Sequence, residues 1–226
     1  DKVYEPDLNS FTIEPFPYYS PLKSQIETIK SFDRPVILVD DLVHKADRLQ
    51  VLVPQLREDG IPIRKVVVGV LSGYGRDLMQ CLKVPVESIY SMPNLRQWFV
   101  ESTLYPFIGG DTVRREEKKG AGLQPSINMI LPYATPRLSG CSREALVEFS
   151  ACCIENSKNL FQVLEAEYRK MYAKTLPLSR LSEAVILPLC PDKGSCMEYD
   201  ENLAASVYLE NDLETLWRMK EFLIRG

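Results

Sequence analysis

The stretch 36-VILVDDLVHKADRL-49 decides the fold class, because it changes from the pattern of a strand to that of a helix. An apolar run ends in two adjacent aspartates, Asp40 and Asp41, and a short loop with the chain's single histidine, His44, follows. Apolar residues then recur at spacings of four and three, which is typical of one helical face: Leu42, Ala46, Leu49, Val53 and Leu56. We therefore expect a strand over VILVD that is buried on both faces and ends at the aspartates, and then a helix.

Strand and helix patterns alternate on both sides of this stretch. The first predicted helix is capped by Ser20 and begins at Pro21, the second is kinked at Pro54 and ended by Gly60, and the last is capped by Asn94. In chain order the flanking segments are a helix over 20–32, a strand over 65–71, a glycine-rich turn and short helix over 72–82, a strand over 86–91 and a helix over 94–104. Such alternation predicts an α/β fold with a mostly parallel sheet and flanking helices.

The rest of the chain is predicted to be mainly helical. A long helix over 143–174 would bury one broad face, and two shorter helices would follow, the last with Asn211 and Glu214 as a capping box. The broad face comprises Leu146, Phe149, Cys153, Leu160, Leu164, Tyr168 and Met171, and the other segments are a charged loop over 109–125, a strand over 127–131 and helices near 200–209 and 212–224. We expect an α/β core with an N-terminal arm over 1–140, and a helical C-terminal extension packed on it over 141–226.

Composition narrows the classes of function. The chain has 226 residues, of which 45% are apolar and 26% charged, and a net charge of −4, as is ordinary for a soluble globular protein. The acidic balance argues against general nucleic-acid binding. No apolar run is long enough for a membrane span, and the polar N-terminus is unlike a signal peptide. Because the first residue is not methionine, we expect processing or a longer gene product with an additional domain.

The cysteines indicate a cytoplasmic protein. Six are present, none in a CxxC pattern, and free structural thiols are typical of the reducing cytosol. Cys152 and Cys153 lie within a helical pattern, where both are expected to be small core residues. Cys190 and Cys196, which flank PDKGS, could instead be a pair of metal ligands rather than free thiols, although no histidine stands near them.

The acidic pair is the main candidate for a ligand site. In an open parallel sheet, ligands bind beyond the carboxyl ends of the strands, where Asp40 and Asp41 are expected. Their carboxylates could hold ligand hydroxyls or a divalent cation, and the helix start that follows favours an anion. Carboxylates beside a cradle of N–H groups suit a ribose phosphate. The structural alternative is that the pair only caps the next helix.

VILVDDLVHKADRL resembles the phosphoribosyl-diphosphate signature of phosphoribosyltransferases, in which four hydrophobic residues, two acids and two more hydrophobic residues usually precede Thr-Thr-Gly and a helix. With the downstream helix, Gly60 and the strand KVVVGVL, the resemblance covers residues 36–71. It implies a phosphoribosyltransferase-like fold. It also implies that Asp40 and Asp41 bind the ribose hydroxyls, directly or through Mg²⁺.

The loop after the acids has its own part in this resemblance. The family implies that the backbone of 44-HKAD-47 holds the 5′-phosphate, with ligand contacts at His44, Lys45, Ala46 and Asp47. His44 and Lys45 stand where the signature usually has threonines, and Ala46 stands where it has glycine. Lys45 could supply a charge in place of the two hydroxyls.

Other segments allow further ligand contacts. The turn 72-SGYGRDL-78 lacks the third glycine of a dinucleotide fingerprint, so it is either a plain turn or a helix start that helps to bind an anion. The residues concerned are Ser72, Gly73, Gly75 and Arg76. The run 114-RREEKK-119 is either a solvated face or a mobile lid that presents two arginines to a phosphate.

A receiver domain of the response-regulator kind is another α/β class that the acidic pair brings to mind. The dipeptide 92-MP-93 resembles its later Met-Pro, but Ile89 stands where the phosphorylated aspartate would be.

The favoured hypothesis is a protein that handles a phosphoribosyl or nucleotide ligand with Mg²⁺, either a phosphoribosyltransferase or part of one. The alternative is a non-catalytic module of that fold, which senses a ligand or assembles with another domain. The aromatic and proline-rich arm 1–19 indicates packing on another surface, such as that of a homodimer partner.

Overall fold

The structure is a computed structural model that describes residues 2–15, 19–98, 100–114, 124–136, 138, 140–181, 186–189 and 199–225. Its strands and helices confirm the α/β class. The chain divides into two compact units, the first comprising Asp1–Lys2 and Ile13–Trp98 and the second Val3–Thr12 and Phe99–Gly226. The expected division into an α/β core over 1–140 and a packed helical part over 141–226 stays a prediction.

Fifteen segments of regular structure build the described parts of the two units. In chain order they are β1 (Lys2–Tyr4), β2 (Phe11–Ile13), α1 (Leu22–Ser31), β3 (Val36–Val43), α2 (Asp47–Glu58), β4 (Ile63–Ser72), α3 (Gly73–Cys81), β5 (Val86–Met92), a 3₁₀ turn (Glu101–Leu104), β6 (Asp111–Val113), β7 (Gln124–Ile127), α4 (Arg143–Tyr172), α5 (Leu178–Leu181), β8 (Ile186–Leu189) and α6 (Ala205–Arg225). The first unit contains α1 to α3 and β3 to β5, and the segments from the 3₁₀ turn onward belong to the second.

The first unit confirms the predicted alternation. β3, β4 and β5 form a parallel sheet in that order, with β4 in the middle. Apolar side chains from the sheet, α2 and α3 form one core, whose members are Val43, Leu49, Val53, Val66, Val68, Leu71, Met79 and Val84. A smaller cluster of Ile26, Leu56 and Ile61 joins α1 to α2. Burial of this apolar surface is what holds the helices against the sheet.

β3 differs from its prediction in length and in burial. It runs to Val43, so the aspartates lie within the strand and not at its end. Ile37 is 46% exposed and Val39 is 79% exposed, while alternate residues are half-buried. Ile89 of β5, on the same face as Val39, is also exposed. The strand is therefore not buried on both faces over Ile37–Val39, although Val43 at its end is buried. A short apolar run cannot distinguish the two cases.

The helices of the first unit follow the predicted order with different ends. α1 begins at Leu22 with Pro21 in the cap position, and no side chain caps it, so the predicted Ser20 cap is wrong. α2 continues as α-helix through Pro54. Gly60 ends it as predicted, with a φ of 75° that suits glycine.

The prediction of a helix capped by Asn94 is wrong. Residues 93–98 form no helix, and within the described part of 94–104 only Glu101–Leu104 are helical, as a short 3₁₀ turn. Trp98 is instead held by an aromatic contact within the first unit, described below. The local spacing of apolar residues predicted that Trp98 lies on a helical face. It could not reveal a contact with a residue far away in the sequence.

The second unit holds a mixed sheet in the order β2-β1-β6-β7-β8. β1 pairs parallel with β6, β6 antiparallel with β7, and β7 parallel with β8. The expectation of a mostly parallel sheet thus fits the sheet of the first unit, whereas this one is mixed. The N-terminal arm contains β1 and β2, and the predicted loop 109–125 contains β6 and the start of β7, while its residues 115–123 lie outside the described residues. The strand predicted over 127–131 lies earlier, over Gln124–Ile127.

The long predicted helix is confirmed as α4. Ser142 caps it, since its Oγ accepts a hydrogen bond from the N–H of Ala145 at 3.1 Å. The predicted face is only partly right. Leu146 and Cys153 are buried, whereas Leu160, Leu164 and Met171 are exposed. The buried residues are Leu146, Val147, Ser150, Ala151, Cys153, Ile154, Ser157 and Phe161, and apolar residues on several sides of the helix made the choice of face ambiguous.

The two predicted C-terminal helices are one helix, α6. Asn211 lies inside it, and its carbonyl oxygen accepts a hydrogen bond from the hydroxyl of Thr215 at 2.9 Å, so the predicted capping box is wrong. Leu209, Leu213 and Leu216 are buried along one stripe, which keeps the helix continuous across the asparagine. In the described ranges, no helix, α4 and α6 included, has the length and apolar character to cross a membrane.

The described cysteines are free thiols, as predicted: Cys81, Cys141, Cys152 and Cys153. Cys153 is buried, and burial raises the pKa of its thiol to about 11. Cys152 is exposed, so only one of the adjacent pair is a core residue. The alternative metal pair, Cys190 and Cys196, lies outside the described residues.

Gly75 should tolerate no larger side chain. It is buried in the first turn of α3, where a Cβ atom would overlap the carbonyl oxygen of Val43 at the end of β3. Alanine usually stabilises a helix over glycine by about 0.5–1 kcal/mol. We expect Gly75→Ala instead to lower the free energy of unfolding by about 1–3 kcal/mol, the usual cost of overpacking, as measured by urea unfolding.

Gln80→Ala is the matched control, because Gln80 is exposed on the same helix. It should leave stability unchanged or slightly raised. A Gly75→Ala protein as stable as this control would show that α3 and β3 do not approach so closely.

Candidate functional site

The carboxyl ends of β3 and β4 lie side by side, because the strands are parallel and Val43 pairs with Leu71. β3 continues through the loop 44–46 into α2, and β4 passes directly into α3. Each helix begins with backbone N–H groups that have no partner within the helix. We call this region, residues 40–48 and 72–76, the carboxyl edge.

A buried serine ties the two halves of the carboxyl edge together. Ser72 Oγ accepts a hydrogen bond from the N–H of Gly75 at 2.9 Å and lies 2.8 Å from Nδ1 of His44. Ser72 is only 1% exposed. The pKa of His44 is lowered, chiefly by burial and then by the charge of Lys45. Nδ1 of the neutral ring can therefore accept a hydrogen bond from the Ser72 hydroxyl, and Ser72 serves to position the loop after β3.

Asp40 and Asp41 contact each other inside β3. The N–H of Asp41 donates to Oδ1 of Asp40 at 3.0 Å, and the N–H of Leu42 donates to Oδ1 of Asp41 at 2.7 Å. Asp40 is half-buried and Asp41 is exposed. Nη1 of Arg48, in the first turn of α2, lies 4.0 Å from Oδ1 of Asp40. The acidic pair thus precedes the strand end by two residues and has a cation close beside it.

The pKa values of the two carboxyl groups are shifted in opposite directions. The pKa of Asp40 is raised, chiefly by burial and then by the hydrogen bond with Asp41. The pKa of Asp41 is lowered, chiefly by the same hydrogen bond with Asp40. Asp40 is therefore the group that takes up a proton first, and its ionised form is held at a cost to stability.

The acidic pair also fits the expected magnesium ion. Protein sites commonly bind Mg²⁺ through one or two carboxylates together with the oxygens of a bound phosphate and water. Asp40 and Asp41 supply two carboxylates from adjacent positions of β3, joined by the hydrogen bond from the N–H of Asp41 to Oδ1 of Asp40. No cluster of three or more acidic, histidine or cysteine side chains suited to a metal occurs among the described residues. Any cation here would thus depend on oxygens of the ligand for the rest of its coordination.

Aromatic rings surround His44. The ring of Trp98 lies 4.3 Å from that of His44 between centroids, and the ring of Tyr74 lies 5.6 Å away. Nζ of Lys45 lies 6.0 Å from the centroid of Trp98. Tyr74 is 55% exposed, so one side of this group is open to a planar ligand. Sequence reasoning missed Tyr74 and Trp98, since β4, α3 and β5 lie between His44 and Trp98 and no local pattern links the two residues.

The residues of the predicted phosphate cradle lie at the start of α2. Ala46 caps this helix in the left-handed conformation, with a φ of 53°. The carboxylate of Asp47 lies 3.2 Å from Nζ of Lys2. That ion pair offsets a negative charge which would otherwise oppose an anion at the helix start.

The predicted residues of the α3 turn hold that helix in place. A Cβ atom on Gly73 would lie 2.5 Å from the carbonyl oxygen of Pro93, so only glycine fits there. Nη2 of Arg76 donates to Oγ of Ser91 on β5 at 2.5 Å. Gly75 is buried against β3 rather than open to a ligand. The structure thus supplies a packing reason for both glycines.

No protein family, curated protein sequence or solved structure matches this chain. The chemistry of the carboxyl edge therefore has to be argued from its own residues. They combine the carboxylates of two adjacent residues, two neighbouring helix starts, the cations Lys45 and Arg48, and an aromatic surface. Such a set can bind hydroxyls, a phosphate and a planar ring on one ligand.

We expect Asp40→Asn to stabilise the protein at neutral pH. The folded state raises the pKa of Asp40, so its neutral form contributes stability that is fully present below the ordinary value of 3.8 and lost as pH rises through the folded value. An amide removes that loss. Thermal unfolding should show a higher Tm for the variant at neutral pH and a difference that disappears in acid.

Asp41→Asn provides the opposite control. The pKa of Asp41 is lowered, so its charged form contributes stability above 3.8 that is lost as pH falls through the folded value. This variant should have a lower Tm than the parent at neutral pH. If both variants shift Tm in the same direction, the two carboxyl groups do not divide the charge as described.

Proposed function

We propose that the carboxyl edge binds a phosphoribosyl or nucleotide ligand together with Mg²⁺. The observation that carries this proposal is the contact between Asp40 and Asp41 just ahead of the start of α2. Two adjacent hydroxyls of a ribose match the carboxylates of two adjacent residues. Free N–H groups at the helix start, with Lys45 beside them, match a phosphate at the other end of the sugar.

The conformation of Ala46 supports the resemblance to the phosphoribosyl-diphosphate signature. That signature usually has glycine at this position, and Ala46 has a φ of 53°, in the left-handed region that glycine favours. The backbone therefore has the shape that the signature's glycine would allow, although the residue differs. A phosphate could approach the N–H groups of the first turn of α2 along this loop.

The aromatic surface supports a ligand with a planar base. Tyr74 and Trp98 flank His44, and an exposed ring face beside a phosphate-binding loop suits a nucleobase. In this arrangement Asp40 and Asp41 orient the sugar, the start of α2 binds the phosphate, and the rings exclude water from one side of the base. When bound, Mg²⁺ would neutralise charge on the carboxylates and the phosphate.

Transfer of the phosphoribosyl group is the catalytic form of this proposal, and a non-catalytic module is the alternative. A specific observation favours the module. Ser72 is buried and His44 is held at Nδ1 by its hydroxyl, so neither is free to exchange a proton with a ligand through these atoms. Binding for sensing, or assembly with a further domain or a second subunit, needs no such group.

Titration of the chain with phosphoribosyl diphosphate and Mg²⁺ tests the ligand site. Trp98 and Trp217 are the two tryptophans, so a Trp217→Phe protein leaves Trp98 at the carboxyl edge as the only indole reporter. We expect a saturable change in its fluorescence. The double variant Asp40→Asn, Asp41→Asn should weaken binding at least about tenfold, because hydrogen bonds to charged groups contribute about 1.5–3 kcal/mol each.

Asp59→Asn is the control, because Asp59 is an acid of the same unit that lies 3.9 Å from Lys30 and outside the carboxyl edge. Its affinity should equal that of the parent. Absence of saturable binding at millimolar ligand would exclude the proposed site. With binding established, release of pyrophosphate on addition of nucleobases would favour the transferase, and its absence would favour the module.

A further inference from the structure

A separate open cavity of about 410 Å³ lies in the second unit, where α4 ends and α5 begins. Its lining residues are Tyr168, Tyr172, Lys174 and Arg180. The volume is within the range of about 300–1,000 Å³ that small-molecule sites usually have. Among the described residues, its lining combines two phenol rings with two cations and includes no acidic side chain.

The two tyrosines form an aromatic wall on the last turns of α4. They are four residues apart, and therefore lie on one helical face. Their ring centroids are 4.6 Å apart with an angle of 41° between the planes, and Tyr172 is 57% exposed. A planar group could stack on the exposed ring, and each phenol hydroxyl can donate a hydrogen bond.

The two cations come from different elements and meet at this cavity. Lys174 follows the end of α4, and Arg180 lies in α5. Within the described residues neither has an ion pair or a hydrogen-bond partner for its side chain, whereas Lys170, one turn earlier, lies 2.5 Å from Glu167. The negative end of the α4 dipole accounts for one cation near the helix end. It does not account for a second cation brought to the same cavity by another segment.

We propose that this cavity binds a mononucleotide-like ligand, that is, a phosphate ester that carries a planar aromatic ring. Arginine binds phosphate through two parallel hydrogen bonds and lysine adds a point charge, so Arg180 and Lys174 suit the phosphate. The tyrosine wall suits the ring. This inference uses no residue of the carboxyl edge and does not depend on the function proposed for it.

Calorimetric titration with adenosine 5′-monophosphate tests the proposal. The full chain should carry Asp40→Asn and Asp41→Asn, which weaken binding at the carboxyl edge. We expect saturable binding, weakened about tenfold or more by Arg180→Gln and by Lys174→Gln, since each removes a charge-assisted contact. Tyr172→Leu should lower the affinity for the nucleotide but leave the affinity for inorganic phosphate unchanged.

Lys170→Gln is the matched control, because Lys170 is a paired cation on the same helix outside the cavity lining. It should bind the nucleotide as the parent does. The proposal is overturned if no saturable binding occurs at millimolar nucleotide, or if Lys170→Gln weakens binding as much as Arg180→Gln. It is also overturned if adenosine binds as tightly as its monophosphate, or if single-stranded oligonucleotides bind much more tightly than either through the same residues.

Discussion

The close approach of the start of α3 to the end of β3 is the constraint on which the carboxyl edge depends. Gly75 lies against the carbonyl oxygen of Val43, and the buried Ser72 hydroxyl joins the N–H of Gly75 to the ring of His44. One contact of backbone on backbone thus sets the loop after β3 relative to the helix after β4. A side chain at Gly75 would separate the two and disturb the rings around His44.

Asp40 lowers the stability of this part of the structure at neutral pH. Burial raises the pKa of Asp40, and an asparagine or an apolar residue would suit a half-buried strand position at neutral pH better. Arg48 at 4.0 Å reduces this cost without removing it. Groups that are unfavourable for folding are often found where a protein binds a ligand or ion, which is why the pair supports a binding role.

The sequence predicted the order of elements in the first unit well, because strong apolar periods and the glycines at 60 and 73 mark β3, α2, β4, α3 and β5. It misplaced the end of β3, since Leu42 and Val43 fit both a strand and the next helical face. Three-residue strands such as β1 are too short for any period to reveal. The continuity of α6 across Asn211 depends on burial against the rest of the second unit, which overrides a local capping pattern.

The sequence predicted where the candidate site lies but not which side chains contact each other there. Asp40, Asp41 and the loop of His44 follow from one stretch of sequence, whereas the hydrogen bond of His44 to Ser72 spans 28 positions and the contact with Trp98 is more distant still. Contacts between residues so far apart are set by strand register and helix packing, which a single sequence does not reveal. The phosphoribosyltransferase-like fold, the magnesium ion and the partner domain or subunit stay predictions.

Mapping of amide chemical shifts by NMR would test the central claim most directly. Phosphoribosyl diphosphate and Mg²⁺ should shift the amides of the loop after β3, the first turn of α2 and the start of α3, together with the indole N–H of Trp98. Amides of the second unit outside the cavity of Tyr168, Tyr172, Lys174 and Arg180 should be unaffected. Shifts confined to the second unit, or none at saturating ligand, would contradict the account of the carboxyl edge as a ligand site.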